Sequence, residues 1–572
     1  MDKTNSYLFV CAIGPVQDFI ATARTSHDLE FGSWLLSELS KAGARELSAA
    51  PQQLIFPAPG QNLERGSKLS VANKIIAVIE DSPGKIGTNV KRAVEQRLTH
   101  IYRETYKKFK GRIDRELAEE QLRDLLEFYW VSVPYPDERE YKLVRAQAEA
   151  LLAARKNTRD FEPHNGPEGL PKSSLDGVRE SVLQDTAKSL GGEDAFYDAY
   201  HAGQGEILSG VDLLKRWGKN ELRDFESTTD LAAVPFLIKL GEKKESLVQD
   251  IRTMLAGYTS QPETEGAMVY VERLVQLIAD KDKRGEFRKQ FVKIFKNEGI
   301  NYRPSPYYAL LLADGDNMGK LLDAQDSMEK HQDFSRKLSA FAQRAKSIIK
   351  NHGGVPVYVG GDDVMTYLPL HTALKCISAL NTEFSQAMQV FSFSDDERRH
   401  LPSLSGGLII AHHLTPLNNV LDLARQAEKQ AKSVPGKNAL VVISSKRGGV
   451  NRIASAKLNA LIERMEVLIE YARQKQISTG TAYELQKLHQ ELSHTALSPE
   501  AFQREALRII QRKHKGGSER EVQQEVRQKF EAWFKDKELA LDELAQEMII
   551  AGEFVGAYDM ADIAMVEKEV QV

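Results

Sequence analysis

The sequence predicts an α+β protein: two βαββαβ modules in the ferredoxin-like order, a helical insert between them and a helical bundle at the C-terminal end. Three observations carry this prediction. Residues 301–450 alternate apolar strands with helical spacing in the order strand, helix, two strands, helix, strand. A strand, a glycine-containing turn and a helix near residue 6 repeat the opening of that pattern near residue 307. From 190 to 300, and again after 452, the only readable period is helical.

In chain order, "SYLFVCAI" (6–13) reads as a strand and "PVQDFIATARTSHDLEFGSWLLSELSKAGARELSA" (15–49) as a helix with one glycine break. "QLIFPAP", "NKIIAVIE" and "EFYWVSVPYP" follow as short strands, with a basic helical stretch around "RETYKKFKGRIDRELAEEQLRDLL" before the last. This first module occupies 1–160, and its expected hairpin near 54–80 has no acidic pair. A Gly/Pro/Ser-rich connector, "EPHNGPEGLPKSSLDGVRES", opens the helical insert, 161–300. The second module, 301–451, starts with the strand "YYALLLAD" and a helix on which Phe334, Leu338, Phe341, Ala345 and Ile348 share a face. The hairpin "GVPVYVGGDDVMTYLPL", a helix near 371–390, the strand "PSLSGGLIIAHH", the helix "LNNVLDLARQAEKQAK" and the strand "KNALVVIS" complete it. In the bundle, 452–572, Leu458, Ile462, Met465 and Ile469 share a face.

At 572 residues the chain is too long for one hydrophobic core. It is 42% hydrophobic and 28% charged, with no apolar run of the ~18 residues that cross a bilayer. The N-terminal residues lack a long apolar core followed by a small-residue cleavage site, so a cytoplasmic location and no membrane contact are expected. Cys11 and Cys376 are the only cysteines, too few for a disulfide framework or a four-cysteine zinc site, and both are expected to be buried packing residues. A net charge of −4 argues against coating nucleic acid through the overall field and leaves that role to local basic patches.

The second module carries the chemistry. In a βαββαβ sheet the first and third strands are antiparallel neighbours about 4.8 Å apart. Asp314, closing "YYALLLAD", and Asp362 and Asp363, in the hairpin turn, should therefore converge at one sheet edge. Clustered carboxylates repel one another unless a cation sits among them, and hard oxygen ligands with room for water and phosphate suit Mg²⁺ or Mn²⁺. Gly360 and Gly361 would let the turn reach positive φ and a phosphate approach the backbone. Lys432, in the last turn of the following helix, and Lys437, just beyond it, could meet a triphosphate as point charges; they equally suit a helix C-terminus and water. Ser405, Gly406 and Gly407 would line the sheet near a base or ribose. Gly-Gly-Asp-Asp also makes an ordinary hairpin turn; what separates the two readings is Asp314 on the neighbouring strand.

Together "YYALLLADGDNMGKLL", "VYVGGDDVMTYLPL", "LSGGLIIAHHLTPLNNVLDLARQAEKQAK" and "GKNALVV" resemble the second palm domain of the large subunit of type III CRISPR effector complexes, most like the Cmr (III-B) type. The likeness extends to "YLFVCAIGPVQDFIATARTSHDLEFGSWLLSELS", "PKSSLDGVRES" and "SGVDLLKRWG", in family order. Diguanylate cyclases of the GGDEF type share the palm but would not account for the N-terminal block. The resemblance implies two palm domains of the nucleotide cyclase/polymerase type and an ATP-using nucleotidyltransferase. It implies two divalent ions on the hairpin, and synthesis of cyclic oligoadenylate messengers when target RNA pairs with a guide crRNA held with the other Cmr subunits. Carried onto this chain, Asp362 and Asp363 are the core metal ligands, with Asp314 and the Gly315 carbonyl completing the site. Asn317, Gly360, Gly361, Ser405, Gly406, Lys432 and Lys437 are the expected nucleotide contacts, and the first palm would hold the second nucleotide. Some relatives join ATP to S-adenosylmethionine instead, an acceptor that no residue here excludes.

Many family members begin with an HD nuclease domain, whereas this sequence starts at the first palm. Its single His27-Asp28 lies in a helix without accompanying metal-binding histidines and is expected to be structural, so DNA cleavage is not expected. The cysteine-rich motifs of some relatives have no counterpart, so no zinc is expected either. Basic stretches at 106–111, 280–299 and 511–517 are candidate RNA contacts that equally read as solvated helix faces. Phe287, Phe291 and Phe295 read as one buried stripe. A non-catalytic scaffold and a stand-alone cyclase are the rival readings. The three carboxylates argue against the first, the long helical ends against the second.

Overall fold

The computed structural model describes residues 6–569, apart from 16–18, 20–21, 68, 159–168, 204, 220–226, 260–262, 396–397, 493–497, 513–519 and 536–538. Strands β1 (Tyr7–Gly14), β2 (Gln53–Phe56), β3 (Lys74–Ile79) and β4 (Glu127–Pro134) form the first sheet in the order β2-β3-β1-β4, every neighbouring pair antiparallel. Period-two alternation divides β1 between two cores. Phe9, Cys11 and Ile13 pack with helices α1 (Ser26–Glu46) and α2 (Pro83–Tyr106), while Leu8, Val10 and Ala12 pack with Tyr141, Val144 and Ala148 of α3 (Tyr141–Asn157). Covered on both faces, β1 reads as an unbroken apolar run. Of the helix expected from residue 15, Phe19 is helical, residues 22–25 interrupt it and α1 runs from Ser26; residues 16–18 and 20–21 lie outside the described residues. There the Thr25 hydroxyl accepts from the Asp28 amide, and the Asp28 carboxylate accepts from the Thr25 amide. Asp28 also pairs with Arg216 at 3.2 Å, which gives it a structural task. Gly32 is buried within α1 and does not break it.

The second sheet contains β5 (Tyr307–Gly315), β6 (Val355–Gly360), β7 (Asp363–Leu368), β10 (Leu404–His412), β11 (Ala439–Ser445) and β12 (Arg452–Lys457). Strands β8 (Phe393–Asp395) and β9 (Arg398–His400) make a separate ribbon. The order is β12-β11-β10-β5-β7-β6, so that β6-β7-β5-β10 repeats β2-β3-β1-β4 of the first sheet. Helix α4 (Met328–Asn351) lies between β5 and β6 in the chain, α5 (Ala373–Met388) follows β7, and α6 (Leu417–Ser433) joins β10 to its parallel neighbour β11. Ala309, Leu311 and Ala313 pack with α4, α5 and the C-terminal helices α7 (Leu458–Arg473) and α8 (Leu541–Glu569); Tyr308 and Leu310 pack with α6 and the insert.

Two boundaries differ from the sequence reading. Residues after 452 are not all helical: β12 pairs antiparallel with β11, Ala439 opposite Lys457, and carries the second sheet past 451. "RIASAK" holds too few apolar residues to announce a strand, and its order comes from pairing and from Ala454 in the core. The insert divides between modules. Phe196, Tyr200, Val211 and Leu214 join the first core, while Leu231, Phe236, Ile251 and the Phe287, Phe291 and Phe295 stripe cover the second sheet. A helical period reveals a buried face and not the core it serves. Residues 161–168 of the connector lie outside the described residues. Cys11 and Cys376 are free and buried. Among the described residues no helix is long and apolar enough to cross a membrane.

The modules meet along α4. Ser335 Oγ accepts from the Ala58 amide at 2.9 Å, Gln332 donates to the Leu54 carbonyl at 2.8 Å, and Asp323 pairs with Arg145 at 2.8 Å. Lys346 Nζ donates to Ser70 Oγ at 2.8 Å. Glu30 of α1 lies at the same seam, where burial raises its carboxyl to about 7 against the pull of Lys219, Lys350 and Lys346. A carboxyl whose folded pKa exceeds its unfolded value contributes most below the ordinary glutamate range, and that contribution is lost as pH rises toward 7. Glu30→Gln is therefore expected to melt above wild type at pH 8, with the gap closing toward pH 5. Calorimetry at the two pH values checks it, and an equal gap at both would assign Glu30 no titrating role.

Candidate functional site

The turn between β6 and β7 is as short as a hairpin allows. Gly360 pairs with Asp363, which leaves Gly361 and Asp362 as the loop. Gly361 has φ +72° and Asp362 is not in the left-handed region, the pattern of a II′ turn. Positive φ is thus confined to Gly361. Gly360 serves a different end, since a Cβ there would stand 2.4 Å from the Tyr358 hydroxyl. The register of β6 shifts between Pro356 and Tyr358, a bulge on an edge strand where proline's missing N–H is tolerated. That bulge sits beside the turn, with Tyr358 against Gly360.

β5 lies directly against β7, with Ala313 opposite Val364, so Asp314 falls beside Asp363 on one sheet face. Gly315 brings the strand end onto the turn: a Cβ there would stand 2.8 Å from Asp362 Cβ and 2.7 Å from Met318 Cγ. Burial raises the Asp362 and Asp363 carboxyls above the usual carboxylate range, and the Asp363 charge raises Asp362 further. Burial and the two carboxylates likewise push the Tyr358 hydroxyl up. No Lys or Arg among the described residues pairs with either aspartate of the turn.

Asp314 is different. Lys432, in the last turn of α6, forms an ion pair with it and a second, at 2.8 Å, with Glu428 one turn earlier. Gly407 makes this possible, because a Cβ there would stand 2.5 Å from Ala427 Cβ and would hold α6 off the sheet. Lys437 donates to Asn317 Oδ1 at 2.8 Å, and Asn317 itself is left-handed with φ +56°. Ser405 does not line an open surface. It is fully buried and donates to Asp316 at 2.9 Å. Gly406 is buried against Ala313 of β5.

Asp316, Glu428 and Tyr358 were not singled out in the sequence, yet each shapes the site. One oxygen of Asp316 accepts from Ser403 Oγ at 2.6 Å, Ser405 Oγ at 2.9 Å and the Asn438 amide at 2.9 Å. This carboxylate, 2% exposed, ties the end of β5, the start of β10 and the turn before β11 together. The second acid of "DGD" and a glutamate four residues before Lys432 were the available signals.

No three His, Cys, Asp or Glu side chains among the described residues stand as a ready ligand set. The donor chemistry nonetheless fits a small hard cation: three carboxylates and a backbone carbonyl at one edge, with no sulfur or imidazole among them. The basic stretches are dispersed. Lys107 pairs with Glu104 at 2.6 Å, Lys108 lies over the Trp217 ring, and Lys289, Lys293 and Lys296 are exposed opposite the phenylalanine stripe. Residues 513–517 of the last stretch lie outside the described residues.

Residues 307–441 match the family model of the Cas10/Cmr2 second palm domain, and residues 8–107 match that of the N-terminal part of CRISPR-associated protein Cmr2. Over these two parts the chain is similar to the Cas10/Cmr2 family. The "CRISPR system Cmr subunit Cmr2" of Pyrococcus furiosus is 24% identical over 548 residues, covering 76% of this chain and 61% of that protein. This chain therefore spans less than two thirds of that relative's length. Among solved structures, a chain of the type III-B Cmr-beta complex in its apo state superposes with a TM-score of 0.64 at 14% identity, covering 91% of this chain and 78% of that one. The same complex bound to cognate target RNA gives 0.62 at 14% identity, covering 90% and 79%. At that identity the likeness speaks for the fold.

The two kinds of acid in the site should respond oppositely to removal. Asp316→Ala leaves three donors, one buried and two partly buried, without this acceptor and is expected to cost about 3 kcal/mol. Asp362→Ala with Asp363→Ala removes two unpaired, partly buried carboxyls and is expected to stay within about 1 kcal/mol of wild type or exceed it. Urea denaturation followed by circular dichroism ranks them; the opposite ranking would make the turn aspartates the structural pair.

Proposed function

We propose that this chain is the large, catalytic subunit of a type III RNA-guided effector complex, and that its second palm converts ATP to cyclic oligoadenylates. One observation carries the reading: Asp314 and Gly315 stand beside Asp362 and Asp363 at one sheet edge, with Lys432 and Lys437 at the rim. The target RNA named for the similar Cmr-beta complex supports guide crRNA, target RNA and further Cmr subunits as partners.

In this reading Asp362, Asp363, Asp314 and the Gly315 carbonyl hold Mg²⁺ or Mn²⁺. Such ions, when bound, lower the pKa of a 3′-hydroxyl and stabilise charge on an α-phosphate and its leaving pyrophosphate. Gly361, without a side chain, leaves the backbone of the turn open to a phosphate. Lys437, steadied by Asn317, and Lys432 supply point charges for the triphosphate. The 3′-oxygen of one ATP forms a bond to the α-phosphorus of another as the bond to pyrophosphate breaks. S-adenosylmethionine as acceptor would call on the same residues for the ATP that is cleaved.

The test uses the complex assembled with guide RNA, matching target RNA, Mn²⁺ and ATP, with and without S-adenosylmethionine, and mass spectrometry of the products. A target-dependent cyclic oligoadenylate is expected, and Asp362→Ala with Asp363→Ala should abolish it while target binding persists. An adenylylated S-adenosylmethionine would change the acceptor and keep the site. No product in either arm, with target still bound, would leave a scaffold.

A further inference from the structure

The Lys432 ammonium sits between two carboxylates, Asp314 on β5 and Glu428 on its own helix, the latter at 2.8 Å. The lysine is 30% exposed and each acid 21%, so the three are shielded without being sealed from water. Asp314 is one of the groups proposed above to hold a divalent ion, and here an internal cation already neutralises it. The ammonium donates to Asp314 Oδ2, so an ion that takes that oxygen competes with the ammonium for it. The helix limits where the ammonium can go. Gly407 lets α6 lie close on β10, where a Cβ would come within 2.8 Å of the Glu428 amide, so Glu428 springs from directly above the sheet next to β5. A lysine four residues after a glutamate stays within its reach through ordinary rotamer changes. Lys437 is close enough to act on Lys432 as a like charge.

Resting on the metal reading above, we infer that Glu428 is a positioning residue: it receives the Lys432 ammonium when a divalent ion claims Asp314. Both arrangements keep charge in balance. Without the ion, Lys432 serves Asp314 and Glu428 together; with it, the ion serves Asp314 and Lys432 falls back on Glu428. A nucleotide's triphosphate offers the ammonium another anion, so Glu428 matters most before nucleotide arrives. Glu428 is thereby a determinant of metal affinity without being a ligand.

The measurement is Mn²⁺ binding to the full chain, read from the electron paramagnetic resonance of free Mn²⁺, with and without a non-hydrolysable ATP analogue. Asp362→Ala with Asp363→Ala serves as the reference that abolishes binding. Lys432→Met is expected to tighten nucleotide-free Mn²⁺ binding about fivefold, by removing the competing cation. Glu428→Gln is expected to weaken it by a similar factor, about fivefold, and the loss should shrink below about twofold on the Lys432→Met background and with the ATP analogue bound. A loss that persists in full with Lys432→Met would mean Glu428 acts on the ion directly and would overturn the inference. So would Mn²⁺ affinity that the aspartate pair abolishes but neither Glu428→Gln nor Lys432→Met moves. Wild type that binds no Mn²⁺ in either condition would remove the metal reading itself, and this inference with it.

Discussion

The antiparallel register of β5 on β7 is the constraint on which the site depends. With Ala313 opposite Val364, Asp314 and Asp363 fall on one face and Gly315 meets Asp362. A slip of one residue would send Asp314 to the opposite face. That slip is opposed on every side. β5 is paired along both edges, and its alternate residues feed two separate cores, Ala309, Leu311 and Ala313 in one, Tyr308 and Leu310 in the other. Asp316 then fastens the strand's end to β10 and to the turn before β11. Burial thus sets the register, and the register sets the carboxylates.

The first sheet shows what this frame is without its turn. Its strand order is the same, but residues 57–73 separate β2 from β3, and β1 closes on Ile13 and Gly14, where the second sheet has Asp314 and Gly315. Glu127, opposite Gly14, is the acid at that end. What the first module supplies instead is packing, with α1 and the β2 region lying against α4 and the second sheet. One frame recurs; the tight acidic loop does not.

The sequence made the strands legible where both faces are buried, as in β1 and β5, because burial writes a continuous apolar run. It hid β12, whose order comes from its neighbour, and it hid the split of the insert, because a helical stripe carries no address. In the site, Asp314, Asp362 and Asp363 were legible because strand order alone makes their segments neighbours. Ser405 was misread for a geometric reason. It lies directly opposite Asp314, yet the chain turns after Gly315 and folds Asp316 over it. The Lys432 ion pairs needed the approach of α6 over Gly407, a tertiary fact that no spacing announces.

Several other buried acids among the described residues have cationic partners. Glu547 receives two hydrogen bonds from Arg464, at 2.9 and 2.7 Å; Glu38 pairs with Lys41 and Arg97; Asp28 pairs with Arg216. The cost of desolvating a carboxylate explains that pattern, since a buried charge without a partner is strongly destabilising. The turn at 361–363 instead places two adjacent acids without a Lys or Arg partner, and burial raises both carboxyls. A fold selected for rigidity alone could replace both with neutral turn residues at no loss of packing, because Gly361 already closes the loop. On the proposed function, the partner that these acids lack within the chain is an exchangeable cation that comes and goes with a substrate. On the same reading Asp314, paired with Lys432, is the ligand whose charge the chain already balances.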